Sequence, residues 1–160
     1  MIIEILIFIE SFWKELIATF VAFFSLWKYF DSRKKELDWK KTEFLFEQSK
    51  YIDSESDIQY VVGIIDGEHG IRLEERLTQK GKLIGDDEQF REGLHKLLNM
   101  LERLSYAVES IGSITMNEVS HFGWYFTSVY REELLVNYCN RNGYKQVVLL
   151  AEKVEEYFKS

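Results

Sequence analysis

Three histidines are the residues of this chain best suited to moving protons near neutral pH: His69, His95 and His121. His95 lies in "REGLHK", where Arg91 and His95 are spaced i,i+4 and share one helix face. A surface Arg/His pair of this kind is common on a helix of this composition, so the spacing by itself does not imply catalysis. His69 lies in "DGEHG", a turn with Asp66 and Glu68 close by. A metal site needs three or four convergent ligands, and around His69 no HxxxH or ExxH spacing supplies them. His121 sits in the aromatic stretch "SHFGWYF" and is expected as a packed or pocket-lining imidazole. Just beyond it, Trp124, Tyr125, Tyr130 and Arg131 could stack a base, but such aromatics more often fill cores and subunit interfaces. There is no glycine-rich phosphate loop, nucleophile elbow or Cys/His pair. No catalytic residue, metal or cofactor is expected.

Composition narrows the class further. The 160 residues suffice for one domain and an appended segment. Aromatics make up 16%, ample for a packed core, and the absence of any proline favours long helices. The single cysteine, Cys139, excludes an internal disulfide and a cysteine-based zinc site. The net charge of −7 argues against a general nucleic-acid binder. That charge is uneven: residues 1 to 41 hold seven Lys/Arg against six Asp/Glu, and the remainder thirteen against twenty-one.

The apolar run from Met1 to Trp27 dominates the N-terminus. As one helix, residues 2 to 27 would span roughly 39 Å at about 1.5 Å per residue, against a hydrocarbon core of roughly 30 Å. On a helical wheel Glu4, Ser11, Glu15, Ala18, Ala22 and Ser25 form one small, polar face, flanked by Glu10, Lys14 and Thr19. Ile5, Ile9, Phe12, Trp13, Leu16, Phe20, Phe23, Phe24 and Trp27 fall opposite. A charge at a helix centre costs about 2.5–3.5 kcal/mol on insertion, while each Leu, Ile, Phe or Val returns about 0.3–0.6. Fifteen such residues therefore roughly offset three charges, and a lone helix in lipid is marginal. Intramembrane charges normally face a bundle interior or a water-filled cavity. The expectation is an amphipathic transmembrane helix that self-associates, with the small polar face lining a lumen. An interfacial helix and a buried helix of a soluble bundle are the competing readings. Arg33, Lys34, Lys35, Lys40 and Lys41 form a membrane-proximal basic collar, which by the positive-inside rule places the C-terminal domain in the cytoplasm. The expected domains are residues 1–30, the anchor or pore helix, and residues 31–160, a cytoplasmic bundle.

Beyond the collar the pattern is helical throughout. The first helix should continue to about Tyr51, and Asp53 or Ser54 should cap the next, which ends at Gly67. Asp86 is the expected cap of a long helix over residues 87–111, closed by Gly112. Thr115 and Glu118 form a capping box for a helix running to about Asn140. Asn142–Gly143 is a C-terminal stop, and the last helix carries Val147, Leu150, Val154 and Phe158. The fold class is all-α: one amphipathic N-terminal helix and a helical bundle, assembled as a homo-oligomer.

The anchor, the collar "SRKKELDWKKTEF" and the Arg91/His95 pair together resemble the small membrane accessory proteins encoded beside type VI-B CRISPR RNA-guided nucleases. That resemblance implies an oligomeric pore in the bacterial inner membrane, single-pass, with a degenerate HEPN-like cytoplasmic domain. It implies functional coupling to the nuclease and stronger anti-phage immunity through depolarisation. In HEPN ribonucleases four to six residues separate an Arg from a His that handles the proton at the ribose hydroxyl. Here three residues intervene, so Arg91 and His95 approach that pattern without meeting it. The implied function is non-enzymatic. The alternatives are a membrane-tethered helical sensor and a degenerate HEPN ribonuclease.

Overall fold

The computed structural model describes residues 2–68 and 70–159, and side chains from Trp13 onward. All regular structure among them is helical: α1 (Ile2–Ser54), α2 (Ser56–Ile65), α3 (Glu88–Glu109), α4 (Met116–Val119), α5 (Gly123–Arg131), α6 (Glu133–Asn142) and α7 (Lys145–Lys159). Short 3-10 turns lie at Leu73–Glu75 and Ser120–Phe122. The chain divides into two compact units, Met1–Glu43 and Phe44–Ser160, and the division falls inside α1.

The first unit is helix alone. No glycine or proline interrupts residues 2–54, and acid-before-base pairs one turn apart support it. Lys35 Nζ reaches Asp31 at 2.8 Å and Lys40 Nζ reaches Glu36 at 2.7 Å. Such pairs contribute a few tenths of a kcal/mol each.

The second unit is the bundle. Phe44 and Leu45 pack against its core and Ile52 is buried in it. α3 lies against α2 and α7, and α7 also meets α5 and α6. Leu98, Leu101, Leu104, Phe126, Leu135, Leu150 and Val154 are wholly buried. Burial of side chains this size contributes roughly 1.5–3 kcal/mol each. The crossing of α2 and α3 is close because residue 93 is glycine: a Cβ there would strike the Asp57 carbonyl and the Val61 side chain.

Three helix boundaries differ from the sequence expectation. Asp53 and Ser54 do not cap α2, because α1 runs through Ser54. The N-cap is Glu55, which makes no side-chain capping bond. Its carboxylate instead takes a 2.8 Å bond from Lys96 Nζ, which also reaches Asp57 at 2.7 Å. The cap of α3 is Asp87 rather than Asp86. One Asp87 oxygen accepts from the Phe90 N–H at 2.9 Å, and the other faces the Tyr60 hydroxyl and Arg76, each at 3.1 Å. The helix expected from Thr115 to Asn140 is broken, although its capping box forms as expected. The buried stripe Phe122, Phe126, Val129 does not continue in phase into Leu135, Tyr138, Cys139 at 3.6 residues per turn. One straight helix could not bury both, and the extended backbone at Glu132 resets the phase. Gly143 ends α6 with φ +94°, as the Asn–Gly pair implied.

Glu155 is buried to 5% exposure against α5 and carries a defined charge. Arg131 and Lys159 bond it at 3.1 and 3.2 Å, and the Arg131 guanidinium foremost holds its carboxyl below the ordinary glutamate value. A lowered folded value means that this contribution is complete above the ordinary value and fades as pH falls through the lowered one. Glu155→Gln should therefore lower Tm at neutral pH and shrink the further loss of Tm below about pH 5. Thermal melts of both chains across that range check it.

Candidate functional site

The feature that stands out is the surface of α1 between residues 13 and 43. Trp13, Leu16, Ile17, Phe20, Val21, Phe23, Phe24, Leu26 and Trp27 are all exposed, with Phe20 and Phe23 above 70%. The polar flank is exposed too, at Glu15, Ala18, Ala22 and Ser25. Of the expected lumen residues, Glu4 and Ser11 lie outside the residues whose side chains are described. Exposed apolar patches on monomeric proteins rarely exceed a few hundred Å². An isolated helix this rich in bare apolar surface is not a stable end state in water.

Among the described residues no helix is long and apolar enough to cross a membrane. The reason is charge placement. Between Glu15 and Lys28 the uncharged run is 12 residues, short of the roughly 17–25 needed to span. A shallow groove runs along the helix between Glu15, Leu16, Thr19, Phe20 and Phe23. Thr19 Oγ1 donates to the Glu15 carbonyl at 2.8 Å, which holds the hydroxyl against the backbone and leaves the groove floor apolar.

The collar is less basic than its residue count suggests. Arg33 pairs with Glu36 at 3.3 Å, Lys35 with Asp31, Lys40 with Glu36, and Lys41 with Asp38 at 3.9 Å. Lys40 first, then Arg33, holds the Glu36 carboxyl below its ordinary value. Lys34 is exposed and has no ion pair among the described residues. The Arg33 guanidinium also lies 5.9 Å from the centre of the Tyr29 ring.

On the bundle, Arg91 and His95 take separate partners. Arg91 is exposed and bonds Glu88 at 3.3 Å. His95 is half-buried, and its Nε2 shares a 2.6 Å hydrogen bond with the Tyr138 hydroxyl. Tyr138 is 2% exposed, and burial pushes its phenol up to about 12. The pair ties α3 to α6. Sequence reading missed Tyr138 because 43 residues separate it from His95, and no local pattern links them. Lys96 was also missed; its two carboxylate partners raise its pKa and join α3 to the start of α2.

The aromatic stretch is split by burial. Phe126 is wholly buried, while Trp124 and Tyr130 are partly exposed, and Trp124 stands edge-on to Tyr125 with centroids 5.0 Å apart. Arg131 is committed to Glu155. His121 is exposed rather than packed, because the 3-10 turn at Ser120–Phe122 sends Phe122 inward in its place. His69 lies outside the described residues. Among the described residues, no group of three or more His, Cys, Asp or Glu is placed to hold a metal ion.

Cys139 is wholly buried, and loss of water pushes its thiol up to about 12. It should resist a chromogenic disulfide reagent in the native chain and react fully in denaturant. Fast native labelling would contradict this placement.

No protein-family model, curated protein or solved structure matches the chain.

Proposed function

We propose that this chain is a non-enzymatic, homo-oligomeric membrane module in which residues 1–30 of several copies line a shared pore. The bare surface of α1 carries this reading: its bulky side chains need cover, and its charges need water. A lone lipid-facing helix cannot satisfy both. A ring of copies can, with Glu15, Ala18, Ala22 and Ser25 toward an aqueous lumen and the aromatics toward lipid and neighbours. Rings of glutamate would favour cations. The collar sets a single-pass orientation with the bundle in the cytoplasm, where it holds the copies together and receives a signal.

The resemblance to CRISPR-associated accessory proteins supplies the setting. Opening would depolarise the bacterial inner membrane and enhance RNA-guided anti-phage defence. No strong nucleic-acid binding is part of this reading, because the bundle unit is acidic.

The test is the mass of the particle extracted in detergent. A defined large oligomer is expected. A monomer sinks the pore, because one helix encloses no channel.

A tethered sensor is the second reading. It draws on an apolar groove on the bundle lined by Phe44, Arg103, Tyr106, Ala107 and Ile111, in which Tyr106 and Ile111 are exposed. Function that survives replacing residues 1–27 by a neutral poly-leucine anchor would favour it. The ribonuclease reading has less support, since Arg91 and His95 hold separate partners.

A further inference from the structure

We propose that neighbouring copies pack head to tail through α1, with Glu15 of one copy facing Lys14 of the next, a contact that rests on the oligomeric reading above. Lys14 and Glu15 are consecutive, so their side chains leave the helix roughly 100° apart around its axis. Ala18 and Ala22 lie between those two directions, so the small-residue strip has an acid on one flank and a base on the other.

The two flanks also differ in shape. On the acid side lies the groove lined by Glu15, Leu16, Thr19, Phe20 and Phe23. On the basic side Ile17 and Val21, both 57% exposed, form a β-branched ridge one turn long. Ridge enters groove when two helices lie side by side. In a parallel ring with the strip facing inward, each copy turns its groove flank to the ridge flank of the next. Opposite charges then meet at the same height at every contact. A two-fold contact through the groove flank would instead set Glu15 against Glu15, and one through the ridge flank Lys14 against Lys14, both repulsive; a two-fold contact through the strip itself pairs the charges but leaves groove and ridge uncovered. The occupant of the groove is therefore a second copy of this chain, joined by a heterologous contact that closes into a ring. The lumen at that level becomes a ring of alternating charges rather than of glutamates alone.

The experiment uses the full chain in membranes. Copies carrying Lys14→Cys are co-expressed with copies carrying Glu15→Cys, and the membranes are oxidised with copper phenanthroline. Native Cys139 is buried, and the parent chain gives the background. A covalent dimer is expected from the mixture and not from either variant alone. In parallel, Lys14→Glu or Glu15→Lys alone should shift the detergent particle toward monomer, and the two together should restore it. Cross-linking of Glu15→Cys copies by themselves overturns the head-to-tail contact. A large wild-type particle that neither cross-links in the mixture nor responds to the swaps also overturns it, and leaves the oligomeric reading standing. A monomeric wild-type particle overturns both.

Discussion

On the pore reading proposed above, replacing Lys14 and Glu15 together by leucine should turn α1 from a shared wall into an ordinary single anchor. The uncharged run would then extend from Ser11 to Trp27, 17 residues, at the lower limit for spanning alone. Relieving two charges lowers the insertion cost by about 6 kcal/mol, roughly four orders of magnitude in the insertion equilibrium. The variant should resist carbonate extraction better than wild type and run as a smaller particle in detergent. Ion flux in vesicles, followed with a potential-sensitive dye, should be lost. The opposing directions are the useful part: tighter membrane association with no conductance. A variant that conducts as well as wild type would remove both charges from the pore wall. One that leaves the membrane would show that the charges, not the apolar residues, hold the helix there.

Gly93→Ala should destabilise the bundle, although helix propensity alone implies the reverse. Alanine in a helix interior is about 1 kcal/mol better than glycine. Residue 93 lies in the second turn of α3, and its missing Cβ is the space into which the Asp57 backbone and Val61 fit. A backbone carbonyl cannot swing aside as a long side chain can, so α2 and α3 must separate. Overpacking of this kind costs about 3 kcal/mol, which leaves a net loss of about 2 kcal/mol. For a bundle of this size Tm should fall by on the order of 10 °C, measured by circular dichroism on the full chain. The Lys96 bridge to Glu55 and Asp57 spans the same crossing, so the double variant Gly93→Ala with Lys96→Met should show non-additive loss. An unchanged or raised Tm for Gly93→Ala would mean the crossing is looser than the structure places it.

Several features were legible in the residues because they rest on local physics. The all-α class follows from the lack of proline and the 3.6-residue apolar spacing. The Thr115–Glu118 box and the Gly143 stop are contacts within one turn of chain, so their residue types suffice to place them. Where the expectation failed, a contact distant in sequence intervened. Asp87 displaced Asp86 because Tyr60 and Arg76 converge on the same carboxylate. Glu55 gave up capping because Lys96 draws its carboxylate.

Residues 2–54 by themselves determined a long helix carrying more apolar surface than water tolerates and more charge than lipid tolerates, since both depend only on which residues follow one another. Tertiary structure alone decided that His95 meets Tyr138, that Gly93 admits a neighbouring backbone, and that His121 faces solvent while Phe122 turns inward. Each of those depends on which helices cross and at what phase, and phase is set by burying every apolar stripe at once rather than by any one stretch of chain.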